Sequence, residues 1–463
     1  MIYRILILLL SITSQLLSAQ SAWKTFASEE LTSQVITVTL ADRSGNLWLG
    51  TTDGLSVYNN GKWVLVDRIQ DIESKTSEKV GYIVRMWEDV SGNIWLASKG
   101  KFFTFNGKFW VNYNKSLLPD YTVRFLLHDS RDDIWLCSEY EKSDKSDNIR
   151  SLPVVKGAVT RFNGLAWINY ELEAGGSHYV QHGDATEFYT GLLEDSRGYI
   201  WIGSVQGLRI FTGSQWLVLG VETLPDEYVT HIIEAGNGDI WVSTTGGVGR
   251  FDGTAWEIFK PKDGIGRNVI RQIREDEDGR IWASITGSVA FQGLVCYDGG
   301  KWTKFISGKE LPTGNILSSF DDFCRSDMIL TRSGAAIFDG RGWYILGPQD
   351  GLAGDHFYSM AADANGKVWI SSDKGLFIGD GKNFSPVCVP ASGEWEITAM
   401  LHDSRSRTWL ATADHEIFLE KDGQILQYYA SDGIPDEDVR QFVEDESGRI
   451  WAIYRKAVAL YEF

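Results

Sequence analysis

Asp42, Trp48 and Thr51 stand within ten residues of one another in the stretch DRSGNLWLGTTDGL, residues 42–55. A carboxylic acid in a glycine-rich loop is the kind of group that serves as a general acid or base. A nearby tryptophan offers a flat apolar face to a ligand. Whether this stretch performs chemistry depends on how often the chain uses it.

The stretch occurs ten times, once in a degenerate form with Met328 in the tryptophan position. Most neighbouring copies are 40 to 42 residues apart, and the exceptions are 47, 66 and 46 residues. A catalytic acid is not needed ten times, so the pattern indicates a structural repeat. The tryptophans of the repeat are Trp48, Trp95, Trp135, Trp201, Trp241, Trp282, Trp369, Trp409 and Trp451.

Each repeat contains four short segments that are typical of β-strands. In the first repeat they cover residues 35–42, 46–51, 54–59 and 62–66, which are rich in β-branched and aromatic residues and bounded by Gly, Asp and Asn. No window shows a helical period. The sequence therefore predicts an all-β fold, a β-propeller of four-stranded antiparallel blades.

The two ends of the chain predict how the ring closes. The last repeat stops before its outermost strand, whereas residues 22–26 (AWKTF) resemble the outermost strand at residues 62–66 (KWVLV). We expect residues 22–26 to complete the last blade, whose inner strands come from residues 439–463. Such a clasp removes a free sheet edge. Ten repeats and one clasp predict a single closed ring of ten blades.

The first nineteen residues are typical of a signal peptide, with Arg4 before an apolar core. We expect cleavage before Gln20, leaving residues 20–463 as an exported propeller in the periplasm or outside the cell, without membrane insertion. The formal net charge of −18 disfavours nucleic acid and anionic membranes as partners.

The cysteines give no sign of a cofactor or metal site. Cys137, Cys296, Cys324 and Cys388 lie in different repeats, and no Cys/His cluster has metal-ligand spacing. We expect buried free thiols, and neither a metal nor another cofactor. Cys296 with Cys324 is the one pair for which a disulfide is worth testing.

The repeat resembles the two-component regulator propeller repeat. The residues that carry the resemblance are EDSRGYIWIGSVQGLRIF at 194–211 and EDVSGNIWLAS at 88–98. The resemblance implies an extracytoplasmic sensor domain of the kind found in hybrid two-component systems, many of which detect polysaccharide breakdown products. Such sensors usually carry two seven-bladed rings, an immunoglobulin-like module, a membrane helix and a histidine kinase. Here we expect a stand-alone propeller without kinase activity.

Three long connections lie on one face of the predicted ring, which we call the top face. They cover residues 68–79, 139–158 and 171–187. Loops on a rigid scaffold often carry recognition, although a solvated insertion explains them equally well. The candidate sugar-binding groups in the last two connections are Tyr140, Arg150, His178, Tyr179, His182 and Asp184.

A second candidate site is the position eleven residues before each repeat tryptophan, near the start of the innermost strand. Arg124, Arg271, Arg440 and Tyr358 occupy it in four repeats. Arginines at the channel mouth could clamp carboxylates or sulfates. The alternative is that each arginine pairs with an acid of a neighbouring blade.

Two histidines share one position of the repeat with glutamates. His128 and His402 stand where other copies have Glu88, Glu194, Glu275 and Glu444. This equivalence indicates a structural role in the blade rather than catalysis.

Three functions remain open from the sequence. The first is a sensor-like module that binds an oligosaccharide or a protein partner at the top face. The second is a propeller-based carbohydrate-active hydrolase or lyase, although no acid/base pair stands out from the repeats. The third is a structural scaffold of an envelope complex. The fold does not decide among them.

Overall fold

The computed structural model contains ten β-sheets arranged blade after blade, in addition to a small hairpin. It describes residues 23–461 apart from residues 34, 71–76, 99–100, 114–121, 143–153, 165, 171–188, 266–268, 287–292, 315, 317–327, 363–365 and 388–395. The signal peptide predicted at residues 1–19 therefore lies outside the described residues.

Blades 1 to 5 each contain four strands in chain order from the innermost to the outermost. The strands are, for blade 1, β2 (Ile36–Ala41), β3 (Leu47–Thr51), β4 (Leu55–Asn59) and β5 (Lys62–Val66); for blade 2, β8 (Ile83–Glu88), β9 (Ile94–Ser98), β10 (Lys101–Phe105) and β11 (Trp110–Tyr113); for blade 3, β12 (Thr122–His128), β13 (Ile134–Lys142), β14 (Val154–Phe162) and β15 (Trp167–Tyr170); for blade 4, β16 (Tyr189–Glu194), β17 (Ile200–Ser204), β18 (Gly207–Phe211) and β19 (Trp216–Leu219); and for blade 5, β20 (Val229–Glu234), β21 (Ile240–Thr244), β22 (Gly247–Phe251) and β23 (Trp256–Phe259).

Blades 6 to 10 continue the same order, and the region before β28 that would hold the innermost strand of blade 7 lies largely outside the described residues. The strands are, for blade 6, β24 (Val269–Glu275), β25 (Ile281–Thr286), β26 (Gly293–Asp298) and β27 (Lys301–Ile306); for blade 7, β28 (Met328–Thr331), β29 (Gly334–Phe338) and β30 (Trp343–Ile345); for blade 8, β31 (Phe357–Ala362), β32 (Val368–Ser372), β33 (Gly375–Gly379) and β34 (Phe384–Pro386); for blade 9, β35 (Ile397–His402), β36 (Thr408–Thr412), β37 (Ile417–Lys421) and β38 (Gln424–Tyr428); and for blade 10, β39 (Gln441–Glu444), β40 (Ile450–Ile453), β41 (Val458–Tyr461) and β1 (Trp23–Phe26).

The predicted clasp is confirmed. Strand β1 pairs antiparallel with β41, with Trp23 opposite Tyr461 and Phe26 opposite Val458. Trp23 and Phe26 are buried, whereas the two residues between them are exposed. This alternation is what a strand shows when one face is packed and the other is solvated.

The repeat tryptophans hold neighbouring blades together. Ten clusters of buried apolar side chains are present, and each joins one pair of consecutive blades, including blade 10 with blade 1. Trp48 packs with blade 2, and Trp451 packs with blade 1. The ring therefore closes, and the predicted ten-bladed propeller is confirmed.

A short hairpin forms within the long connection between blades 1 and 2. Strands β6 (Arg68–Gln70) and β7 (Ser77–Lys79) pair antiparallel, and Lys101 of blade 2 forms an ion pair of 3.0 Å with Glu78. Ile69 is 1% exposed and packs in the core between blades 1 and 2. This part of the connection, expected at residues 68–79 as a loop, is thus tied to the scaffold.

Within the described residues, the other regular elements are short 3₁₀ turns in the top-face connections, namely Ser28–Glu30, Pro261–Asp263, Pro348–Asp350 and Ala430–Asp432. Over the described part of the chain, no helix has the length and apolar character needed to span a membrane. Cys137 and Cys296 are buried free thiols, as expected, whereas Cys324 and Cys388 lie outside the described residues.

Candidate ligand-binding site

The repeated aspartate forms the turn on the bottom face, between the first and second strands of a blade. Asp42 accepts hydrogen bonds from the backbone N–H groups of Ser44 and Asn46 at 3.0 and 2.8 Å. The prediction that this carboxylate binds turn N–H groups is confirmed. Asp42 also accepts the indole N–H of Trp48 at 2.7 Å, a bond that our sequence analysis missed. The constant spacing of six residues could have revealed it.

The same indole-to-carboxylate bond recurs around the ring, so this acid is a structural element of the blades. Its length is 2.8 to 2.9 Å in the other copies where it is described, which are Trp95 with Asp89, Trp135 with Asp129, Trp201 with Asp195, Trp282 with Asp276, Trp409 with Asp403 and Trp451 with Asp445.

Six arginines reinforce the bottom half of the blades. Arg280, for example, lies 2.7 Å from Asp276 and places its guanidinium 5.1 Å from the centre of the Phe338 ring on the next blade. Burial raises the pKa of Asp276, but hydrogen bonds from Trp282 and Arg280 outweigh burial and hold the pKa below its ordinary value. The six ion pairs are Arg161 with Asp133, Arg197 with Asp195, Arg250 with Asp239, Arg280 with Asp276, Arg407 with Asp403 and Arg449 with Asp445.

Glutamates at the ends of the innermost strands connect consecutive blades. Glu88 accepts the backbone N–H of Arg43 at 2.9 Å, and Glu194 accepts that of Ser130 at 2.8 Å. We call this bond, from the turn of one blade to the glutamate of the next, the inter-blade latch. The remaining latches join Ser196 to Glu234, Gly236 to Glu275 and Ser404 to Glu444.

The two histidines that replace these glutamates have contacts within their own blades. His128 turns to its own blade and lies 3.4 Å from Asp132. The ring nitrogen of His402 lies 3.3 Å from the hydroxyl of Thr408, also in its own blade. A structural position for both histidines, as the sequence indicated, agrees with these contacts.

The top end of the innermost strands contains a repeated β-bulge. In eight blades the pairing between the first and second strands skips one or two residues at this point, for example between Ile36 and Val38, and in blade 6 between Ile270 and Ile273. The skipped residue is the one eleven positions before the repeat tryptophan. Bulges re-aim side chains and are frequent beside binding sites.

The bulge residues fall into two groups, those that bond to the next blade and those that are exposed or half-buried. Thr37 and Thr230 donate hydroxyl hydrogen bonds of 2.6 and 2.7 Å to backbone carbonyl oxygens of the next blade. In contrast, Arg124 and Arg271 are exposed at the same position, and Tyr358 is half-buried. Because an innermost strand borders the central channel, an exposed side chain there lies at the channel or its mouth.

The three predicted arginines are spread around the mouth rather than gathered. Arg124 lies on blade 3, Arg271 on blade 6 and Arg440 immediately before β39 of blade 10. Around the ring, Arg271 lies three blades after Arg124, Arg440 lies four blades after Arg271, and Arg124 lies three blades after Arg440. A ligand that contacts more than one of them must therefore extend across the mouth.

A fourth exposed arginine on an innermost strand was missed by our sequence analysis, which considered a single register. Arg85 on β8 is exposed and stands one residue after the bulge of blade 2. The guanidinium groups of Arg85, Arg271 and Arg440 make no hydrogen bond or ion pair with any residue that the structure describes. They differ in this from the six paired arginines of the bottom half.

The carboxylates of the innermost strands lie at the opposite end. In the described strands they are the latch glutamates Glu88, Glu194, Glu234, Glu275 and Glu444 at the bottom. The top and middle of the innermost strands therefore carry positive charge within a protein whose formal net charge is −18. Such a local field favours anionic ligands.

Most of the predicted loop residues lie outside the described part of the chain, namely Arg150, His178, Tyr179, His182 and Asp184. The backbone of Tyr140 belongs to β13 and pairs with Lys156 of β14. Within the described residues, no group of three or more His, Cys, Asp or Glu side chains is arranged to hold a metal ion.

Solved structures with similarity to this chain have low identity to it. The extracellular domain of a putative hybrid two component system from B. thetaiotaomicron is 16% identical, with 93% of this chain and 69% of that chain covered and a TM-score of 0.24. A second such domain from the same organism is 15% identical, with 89% of this chain and 57% of that chain covered and a TM-score of 0.29. This chain thus spans less than two thirds of the second domain.

A third similar structure is PorZ, a surface component of the type-IX secretion system of Porphyromonas gingivalis. It is 14% identical, with 92% of this chain and 68% of that chain covered and a TM-score of 0.32. No curated protein matches the sequence. Two segments, residues 183–206 and 223–246, match the family model of the two component regulator propeller. Each includes the first two strands of a blade, in blades 4 and 5, and the chain thus carries repeats of the two-component regulator propeller type.

Proposed function

We propose that this chain is an exported, sensor-like binding propeller that recognises an anionic oligosaccharide or an acidic protein partner at the mouth of its central channel. One observation carries the proposal. Six arginines of the bottom half are paired with aspartates, whereas Arg85 and Arg271 on innermost strands and Arg440 immediately before β39 are not paired with any described residue. An unpaired guanidinium presents a planar donor fork that suits carboxylate and sulfate groups.

The spread of the arginines bears on the size of the ligand. Because they stand several blades apart, a compact anion would meet one of them, and an extended ligand would meet two or more. The candidate groups of the long connections, such as His182 and Asp184, lie outside the described residues and stay predictions.

The test is a thermal-shift screen of residues 20–463 against neutral and anionic oligosaccharides at matched ionic strength. A ligand present at a hundred times its Kd should stabilise the folded state by about 2.7 kcal/mol, which corresponds to a few degrees in Tm for a domain of this size. A shift confined to anionic oligosaccharides supports the proposal.

Other results of the screen would favour a different function. Equal shifts in Tm with neutral and anionic sugars would show that the arginines do not determine which sugar binds. Turnover of a sugar that is lost in His182→Ala would identify a carbohydrate-active enzyme. The absence of any shift would favour a protein partner or a scaffold role, to be followed by a binding assay with the candidate partner.

A further inference from the structure

The joint between blades 2 and 3 differs from the five joints at which the structure describes a latch. We use joint for the contact between two consecutive blades. At the joint between blades 1 and 2, Thr37 reaches Ile83 and the latch joins Arg43 to Glu88. Between blades 2 and 3, neither the backbone N–H of Val90 nor the side chain of Arg85 forms such a bond with a residue that the structure describes.

The latch is absent at this joint because its acceptor position holds a histidine. His128 stands where the latch glutamate would be, and it lies 3.4 Å from Asp132 of its own blade. The donor position is Val90, which is 63% exposed. The turn of blade 2 and the inner strand of blade 3 therefore lack the carboxylate that spans other joints.

A second cross-joint contact is also missing. The residue just after the bulge makes a contact with the next blade at several joints. His231 lies 3.1 Å from the carbonyl oxygen of Ile273, and the hydroxyl of Ser359 accepts the N–H of Ile397 at 2.7 Å. The corresponding residue of blade 2 is Arg85, which is exposed and bonds to no described residue.

Arg85 faces blade 3. Trp87, two residues further along β8, packs in the apolar cluster between blades 2 and 3, and alternate residues of a strand share a face. The indole ring of Trp87 stacks on that of Trp95, with 5.5 Å between ring centroids. Its N–H is buried and has no acceptor among the described residues. Two donors, one charged and one buried, thus stand on the blade 2 side of the joint without a described acceptor.

We propose that the joint between blades 2 and 3 is the ligand-responsive joint of the ring, and that a carboxylate or sulfate bound at Arg85 closes it. This inference rests on the proposed function, since it requires an anion at the innermost strands. The ligand supplies an acceptor near the top ends of β8 and β12, at the level where His231 and Ser359 make the cross-joint contacts of other blades. Binding at the mouth would then strengthen the contact between blades 2 and 3.

The first test is hydrogen exchange of the free protein, followed by mass spectrometry. Amides of β8 and β12 should exchange faster than those of β20 and β24, whose joint has the latch from Gly236 to Glu275. In His128→Glu the latch can form with the N–H of Val90, and exchange at β8 and β12 should slow without any ligand. Equal exchange at the two joints of the natural protein would overturn the proposal.

The second test adds an anion. The probes are inorganic pyrophosphate and, separately, a galacturonate trisaccharide, each compared with sodium chloride at the same ionic strength. Binding should slow exchange several-fold in β8 and β12 but not in β20. Arg85→Gln should weaken binding about tenfold or more and abolish this protection. Arg341→Gln, which makes the same charge change on an exposed turn at the bottom, is the matched control.

The outcomes separate the two proposals. Binding that shifts Tm in the natural protein and in Arg85→Gln alike, without slower exchange at β8 and β12, would leave the anion-binding function standing and reject the responsive joint. If no anion shifts Tm, the proposed function fails and the responsive joint fails with it.

Discussion

The indole N–H of Trp409 donates to the carboxylate of Asp403 across 2.8 Å, and both residues are buried. The bond joins the turn at the bottom of blade 9 to the strand that packs against blade 10. The same carboxylate holds the guanidinium of Arg407 at 2.6 Å. One side chain thus satisfies a turn, a core tryptophan and a charged neighbour, so its loss leaves several buried donors without an acceptor.

We expect Asp403→Ala to lower the free energy of unfolding by about 2–4 kcal/mol, because buried donors left without a partner each cost about 1–3 kcal/mol. Thermal unfolding followed by circular dichroism measures the effect as a fall in Tm. Asp252→Ala is the control, since Asp252 accepts its hydrogen bonds on an exposed turn. A Tm for Asp403→Ala within a degree of that of the control would refute this account of the repeat.

Stability should fall in acid because of these same aspartates. Burial raises the pKa of Asp403, but hydrogen bonds from Trp409 and Arg407 outweigh it and leave the pKa below its ordinary value. The pKa values of Asp89 and Asp276 are lowered by the same kinds of bond. A carboxyl with a lowered folded-state pKa stabilises the fold above its unfolded pKa of about 4, and this contribution is lost as the pH falls below that value.

Melting curves between pH 7 and pH 3 test this sign. The natural protein should keep a nearly constant Tm above about pH 5 and lose stability below about pH 4. Asp403→Asn should start from a lower Tm and decline less steeply in acid, because it has one titrating group fewer. A variant that declines as steeply as the natural protein would show that Asp403 does not contribute to the acid transition.

The clasp should determine whether the ring stays closed. Trp23 is 2% exposed, with its ring centroid 5.6 Å from that of Trp409 and 5.3 Å from that of Tyr461. Trp23→Ala removes a buried aromatic side chain and should cost about 3–5 kcal/mol. The neighbouring exposed residue gives the control Lys24→Ala, which should change stability by less than about 0.5 kcal/mol.

Limited proteolysis shows where that stability is lost. In Trp23→Ala, cleavage should begin at the joined termini, in the segment that leads from β1 to β2. Cleavage that begins instead within blades 4 or 5 would contradict the view that β1 holds the ring shut.

The fold could be predicted from the sequence because it depends on a repeated local pattern. The spacing of Trp48 and its nine counterparts determined the number of blades, and the strand-like residues 22–26 predicted the clasp. The site could be predicted only in part. The sequence singled out the position of Arg271, but the β-bulge found there depends on how two strands pair, and pairing registers are not visible in one sequence.

Arg85 shows a different limit of the sequence. The residue type at this position differs from blade to blade. Its role depends on which neighbouring blade the side chain faces and on which polar or apolar groups that blade presents. At equivalent positions Phe125 packs between blades 3 and 4, and His231 bonds to the backbone of blade 6. Only the arrangement of blades around the ring shows that Arg85 meets no such partner in the part of the chain that the structure describes.

The buried thiols should be inert in the folded protein. Burial raises the pKa of the Cys296 thiol to about 12, with a smaller contribution from Asp276. Cys137 is completely buried. Iodoacetamide at pH 8 should therefore leave both unmodified in the native state and modify both in guanidinium chloride, as read from the mass of the corresponding peptides. Rapid native modification of Cys296 would mean that the joint between blades 6 and 7 opens readily.

The two kinds of arginine should give opposite results when each is changed to glutamine. Arg271 is exposed at the channel mouth without a described partner, so Arg271→Gln should weaken binding of an anionic oligosaccharide and reduce its salt dependence while Tm stays within about a degree. Arg280 is paired with Asp276 and packs on Phe338, so Arg280→Gln should lower Tm and leave the affinity unchanged. Isothermal titration calorimetry at two salt concentrations and thermal melts give both quantities for each variant. If Arg280→Gln weakens binding as much as Arg271→Gln does, the ligand recognises overall charge rather than the mouth of the channel.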